Sequence, residues 1–146
     1  MSASKFLSTV NLSLVILYFR FITMLIKAVR NGLGQLIVLG DLLTRPAKMK
    51  RSQASQVAVE QAAASLSLYQ FRACPFCVKT RRTLHKLNVP VAVRDASNNK
   101  QHRQELLEQG GKVQVPCLRI EENGGSTWLY ESRAISAYLH ERFGVG

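Results

Sequence analysis

The sequence predicts an α/β fold, a mixed four-stranded sheet covered by helices, preceded by a separate apolar and basic segment. Three observations carry this expectation. A short apolar run, Leu66 to Phe71, ends just before Cys74-Pro75-Phe76-Cys77, which opens a helical pattern. Further short apolar runs follow at Val91–Arg94, Val115–Ile120 and Thr127–Tyr130, separated by helical stretches and an Asn-Gly-Gly turn. The composition also changes along the chain, so that residues 1–51 read as an anchoring segment, 52–65 as a helical linker and 66–146 as the α/β domain.

Each element has its own local reason. Leu66–Phe71 is a continuous apolar run of strand length, as a buried strand requires. Pro75–Leu87 places Val78 and Leu84 on one side of a helix and Lys79, Arg81, Arg82 and Lys86 elsewhere, until Asn88 and Pro90 stop it. Val91–Arg94 is the second strand, and Asn98–Gln109 is a helix closed by Gly110 and Gly111. Val115–Ile120 and Thr127–Tyr130 form a hairpin about the turn Asn123-Gly124-Gly125. Glu131–Phe143 is the last helix, with Ile135, Tyr138 and Leu139 at helical spacing. The order βαβαββα gives two parallel strands joined by a helix, then an antiparallel pair.

The Cys74–Cys77 spacing has a chemical meaning at that place. A thiolate at a helix N-terminus is stabilised by unpaired backbone N–H groups and the positive end of the dipole, which makes Cys74 the candidate nucleophile. Cys77 lies about one helical turn on and can attack a mixed disulfide on its neighbour. Pro75 at the first helical position costs no hydrogen bond. The alternatives are a structural pair of cysteines or half of a zinc site. Beyond the pair, the chain offers only Cys117, His85, His102 and His140, none in a second paired spacing, so no metal is expected.

Three separated features together resemble the glutaredoxins of the thioredoxin superfamily: Cys-Pro-Phe-Cys at 74–77, Val115-Pro116 before the third strand, and Leu129-Tyr130-Glu131-Ser132 at the last helix. They are similar also to the N-terminal domain of glutathione transferases. The resemblance implies a thioredoxin-like fold and glutathione-dependent thiol–disulfide exchange, with glutathione as co-substrate and disulfide-bonded or glutathionylated proteins as substrates. It implies a cis Pro116 facing the cysteines, and a Val115 backbone that pairs with glutathione as an added strand. Glu131 and Ser132 would hold the γ-glutamyl end, Glu131 receiving the ammonium and Ser132 with the helix N–H groups the carboxylate.

The sequence departs from that pattern in places. Arg72 is the cation nearest Cys74, where many glutaredoxins carry a Lys for the glycine carboxylate. Phe76 replaces the usual Tyr and keeps the aromatic face. Gln114 stands where a Thr is usual and receives no role. Cys117 reads as a buried, inert thiol, with glutathionylation as the alternative. Three rival functions are weighed against exchange. A complete transferase adds a large helical domain, whereas this chain ends at Gly146, just after the last helix. Iron–sulfur carriage is disfavoured by proline after the first cysteine. A redox sensor docking a membrane partner would change state once without turnover.

The N-terminal segment is of another kind. Phe6–Ile26 is mostly apolar with Arg20 its one charge, and its 21 residues are long enough to cross a bilayer. On a helical wheel, however, Lys5, Thr9, Ser13, Arg20, Thr23, Lys27 and Arg30 fall within an arc of about 100°, as an in-plane interfacial helix shows. A spanning helix would pay roughly 2.5–3.5 kcal/mol for a central Arg20. A short span, an in-plane helix and a hairpin with Leu33–Leu43 all remain open, each making lipid a partner through residues 6–43. No small-residue cleavage site follows Ile26, which disfavours a removed signal peptide.

The charge points the same way. Of 20 basic and 9 acidic residues, residues 1–51 hold eight Lys or Arg against the single acid Asp41, so seven of the eleven net positive charges lie beside apolar sequence. Anionic lipid explains them more simply than nucleic acid, for which no motif is present. All but Lys5 of these cations lie at or beyond Arg20, a bias that for a spanning helix keeps the following domain in the cytoplasm. The expected location is the inner (cytoplasmic) membrane, with the thiols where glutathione keeps them reduced.

Overall fold

The computed structural model describes the backbone of residues 3–144 and the side chains of residues 14–29 and 31–144. In chain order the elements are α1 (Ala3–Leu43), α2 (Gln53–Ala63), β1 (Leu66–Gln70), α3 (Pro75–Lys86), β2 (Ala92–Asp95), α4 (Lys100–Glu108), β3 (Cys117–Glu122), β4 (Gly125–Tyr130) and α5 (Ser132–Phe143). The four strands form one sheet in the order β2-β1-β3-β4. β1 runs parallel to β2 and antiparallel to β3, and β3 runs antiparallel to β4. This is the mixed, helix-covered sheet expected, consistent with a thioredoxin-like fold.

β1 is buried along its whole length because it is an inner strand with both faces covered. Its Leu66 and Leu68 enter one core with Leu84 of α3, Leu87 just beyond that helix, and Ile135 and Leu139 of α5. Tyr69 enters the opposite core, with Leu106 of α4 and Cys117. The period-2 alternation of the strand separates the two cores.

Several element ends differ from the expectation. β3 begins at Cys117, not Val115, because Pro116 has no N–H to give to a ladder. α4 begins after Asn99, whose side chain accepts hydrogen bonds from the N–H groups of Gln101 and His102 and so acts as the cap. α1 is one uninterrupted helix from Ala3 to Leu43, so the hairpin between Phe6–Ile26 and Leu33–Leu43 is not formed.

Contacts divide the chain into two compact units between Leu36 and Ile37. In the second unit, residues beyond Ile37 pack with the α/β domain. Asp41 is buried, paired with Arg45 at 3.2 Å and Arg82 at 3.9 Å. Arg51 donates to the carbonyls of Leu87 and Phe143, each at 2.5 Å, placing a cation where the helices α3 and α5 end. α2, capped by Ser52, buries Ala63 in the core.

In the first unit, the expected segment Phe6–Ile26 lies partly outside the described side chains. Among the described residues, no helix is long and apolar enough to cross a membrane. The expected transmembrane helix is therefore without support there. Large apolar side chains, including Leu17, Phe19, Phe21 and Met24, are more than half exposed along it.

Candidate active site

Sheet register collects the expected site segments at one edge. Tyr69 near the end of β1 pairs with Cys117 at the start of β3, which pairs in turn with Tyr130 at the end of β4. The loop to Cys74, the Val115–Pro116 pair and the Glu131–Ser132 corner each adjoin one of these three residues. Segments far apart in sequence thus leave the sheet side by side.

Cys74 is the N-cap of α3, with φ −76° and ψ 123°, and its side chain makes no capping hydrogen bond. It is partly exposed, and Pro75 is the first helical residue. Its N–H donates to the Phe71 carbonyl at 3.2 Å and its carbonyl accepts from Val78 N–H at 2.9 Å, so the backbone of Cys74 is held from both sides. Cys77 is fully buried. Its thiol is raised to about 12, chiefly by burial and with help from the Cys74 sulfur beside it, against the opposing pull of a backbone hydrogen bond at Phe71 and the charge of Arg81. Both thiols are free. The arrangement is asymmetric, with one reachable sulfur and one reserve sulfur behind it.

The Val115–Pro116 peptide is cis, and Pro116 is buried. Among the described residues, neither the N–H nor the C=O of Val115 has a backbone hydrogen-bond partner. Cys117 is fully buried, its thiol pushed up to about 11 by burial and lowered in smaller measure by a hydrogen bond with Tyr130. Tyr130 in turn donates to the Gly110 carbonyl at 2.7 Å, tying the loop ahead of Val115 to β4.

Glu131 caps α5 with φ 70° and ψ 125°, a backbone region that costs a non-glycine residue of order 1–3 kcal/mol. Such a cost marks a candidate functional position. Ser132, the first residue of α5, is buried. The exposed Glu131 carboxylate accepts a hydrogen bond of 2.6 Å from the Gln114 side-chain amide, joining the corner to the Val115 segment. Phe76 is 63% exposed beside the cysteines. Arg72 is exposed and, among the described residues, forms no ion pair.

Two residues of this edge escaped the sequence reading. Gln114 carried no local signal, since its partner lies seventeen positions away. Arg81 did carry one, because it stands one helical turn after Cys77. It donates to the side chain of buried Gln70 at 2.5 Å and to the Arg72 carbonyl at 3.1 Å. Among the described residues, no three His, Cys, Asp or Glu side chains converge as a metal-ligand set.

A partly exposed cysteine capping a helix, a buried partner one turn on and a cis proline at the adjoining strand are consistent with a thioredoxin-like fold carrying a cysteine pair. Within it, residues 66–124 match the family model described as Glutaredoxin. No curated protein matches the chain. Among solved structures, it is similar to a maleylacetoacetate isomerase from Anaeromyxobacter dehalogenans that holds GSH in its active site, at 27% identity and TM-score 0.43, covering 54% of this chain and 38% of that one. It is similar also to glutathione S-transferase unclassified 2 from Bombyx mori, at 25% identity and TM-score 0.47, covering 57% and 38%. Isozyme E7 of the Drosophila melanogaster glutathione S-transferase gives 30% identity and TM-score 0.44, covering 54% and 35%. The chain spans less than two fifths of the length of these three proteins.

Proposed function

We propose that the protein is a glutathione-dependent thiol–disulfide oxidoreductase that reduces disulfides or glutathionylated thiols. The observation that carries this reading is the asymmetry of the pair, a partly exposed Cys74 at the α3 N-terminus and a fully buried Cys77 behind it. Cys74 attacks the substrate disulfide as a thiolate, forming a mixed disulfide and expelling the substrate thiolate. Cys77, or a second glutathione, then attacks that mixed disulfide.

The neighbouring groups suit the tripeptide. The Val115 N–H and C=O are available for a peptide backbone, as strand addition requires. The Glu131 carboxylate suits an ammonium, while Ser132 and the first N–H groups of α5 suit a carboxylate. Arg72 offers a charge for the carboxylate at the other end, and Phe76 an aromatic face. The test is a glutathione-coupled reductase assay on the full chain. Cys74→Ser is expected to abolish reduction of a glutathione mixed disulfide, and Cys77→Ser to keep part of it while losing dithiol exchange. Retained activity in Cys74→Ser sinks the assignment, and single-event oxidation without turnover favours a redox sensor.

We place this activity at the cytoplasmic face of an inner membrane, with the N-terminal helix lying in the interface. Exposed apolar side chains together with Arg20 and Lys27 support that placement. Sedimentation with vesicles checks it: binding that strengthens with anionic lipid and weakens in Arg20→Glu/Lys27→Glu is expected, and equal recovery in the supernatant with and without vesicles overturns it.

A further inference from the structure

We propose that Arg81 is the positioning residue of the dithiol site, fastening the loop that carries Cys74 to the end of β1 and presenting its charge to Cys77 for the step that closes the disulfide. The inference rests on the dithiol reading above. Its basis is a forked contact. One guanidinium nitrogen donates to the side chain of Gln70, which is only 7% exposed and is the last residue of β1. Another donates to the Arg72 carbonyl, in the loop two residues before Cys74. A planar fork with fixed donor directions can serve both acceptors at once. The loop between strand and helix is thereby tied at its middle as well as at its two ends.

The same residue acts on Cys77. Arg81 stands one turn beyond it on α3, and neighbouring residues at that spacing share a helix face. Burial acts most strongly on the Cys77 thiol, followed by the Phe71 backbone and the Cys74 sulfur; Arg81 is the weakest of these influences and the one formal positive charge among them. For the resolving step, the Cys77 proton leaves to solvent and its thiolate attacks the Cys74 sulfur of a mixed disulfide. The Cys74–Cys77 bond forms, the bond to the departing group breaks, and that group leaves as a thiolate. The protein dithiol is oxidised by two electrons and the external disulfide is reduced to two thiols. A buried sulfur is ionised in few molecules at neutral pH, and a nearby fixed cation raises that fraction for this second step.

Dipyridyl disulfide separates the steps without glutathione, because each attack releases one thiopyridone that is followed by absorbance. Cys77→Ser, which can give only the first of these releases from the pair, identifies the second phase. Raising a thiol pKa by one unit removes about tenfold of its thiolate and returns about threefold in nucleophilicity, a net slowing of about threefold at pH 7. Arg81→Gln is expected to slow the second release about threefold or more and to move its pH–rate profile upward. Arg81→Lys, which keeps the charge and loses the fork, is expected to restore that profile in part. Far-UV circular dichroism and melting of each variant show that it is folded. A second release in Arg81→Gln with the wild-type rate and pH profile overturns the assignment, as does equal slowing in Gln and Lys variants. If the glutathione-coupled assay fails while the two-phase release behaves as described, the glutathione reading falls and the role of Arg81 stands.

Discussion

The Gln114 side-chain amide donates a 2.6 Å hydrogen bond to the Glu131 carboxylate, linking the segment before the cis Val115–Pro116 bond to the corner that opens α5. Both residues sit at the sheet edge that also carries the cysteines. The bond fixes a carboxylate that would otherwise rotate freely in solvent, and a positioned charge recognises an ammonium better than a mobile one.

Removing that donor is expected to weaken glutathione binding more than chemistry. Gln114→Ala should raise KM for glutathione by roughly fivefold, the worth of about 1 kcal/mol for one hydrogen bond, with kcat within about twofold of wild type. Steady-state kinetics at varied glutathione check this. An unchanged KM would detach Gln114 from the site.

Glu131 is expected to set stability against glutathione binding. Its φ of 70° is costly for any residue with a Cβ and free for glycine. Glu131→Gly is therefore expected to stabilise the fold by about 1 kcal/mol, after the entropy that glycine adds to the unfolded chain, while lowering glutathione affinity. Thermal melting and glutathione titration on the same variant read the two effects separately.

The three cysteines should differ sharply toward an alkylating reagent. At pH 7 a thiol with a pKa near 12 is ionised in about one molecule in 10⁵, and Cys77 and Cys117 are sealed from solvent as well. Brief treatment with iodoacetamide followed by peptide mass mapping is expected to find Cys74 modified alone, and all three modified in denaturant. Modification of Cys77 at the rate of Cys74 would contradict the asymmetry on which the mechanism stands.

Stability is expected to fall in alkaline solution. Cys77 moves from 9.0 to about 12, Cys117 from 9.0 to about 11, and Tyr69 and Tyr130 from 10.0 to about 12, in each case chiefly by burial. Such groups keep their protons in the folded state after the unfolded chain has released them, so the unfolded state binds fewer protons and stability declines as pH rises. The loss begins near pH 9 and continues to about pH 12. Urea unfolding at pH 7, 9 and 10.5 measures it, and a Cys77→Ala variant should show a shallower decline.

Much of the architecture was legible because it is written locally. The buried run Leu66–Gln70, the proline-led helix after Cys74, and the Asn-Gly-Gly turn between the last two strands each depend on neighbours a few positions apart. Errors gathered where a local pattern met a backbone requirement. The Val115 segment reads as strand by composition, yet Pro116 cannot donate to the ladder, and pairing starts at Cys117. At residues 98–100 two asparagines compete as cap, and only the hydrogen bonds of Asn99 select one.

By itself the chain's order of residues determined the alternation of strands and helices, the placement of two cysteines one turn apart at a helix start, and the candidate residues at 115–116 and 131–132. The first two follow from periodicity and turn chemistry, which act over a few residues, while the candidates at 115–116 and 131–132 come from the resemblance to the glutaredoxins. The tertiary structure alone decided that Cys77 is sealed while Cys74 is reachable, that Arg81 reaches back to Gln70 and Arg72, and that Gln114 holds Glu131. Burial and long-range hydrogen bonds depend on which segments the sheet register sets side by side, and the register is settled only when the whole core packs.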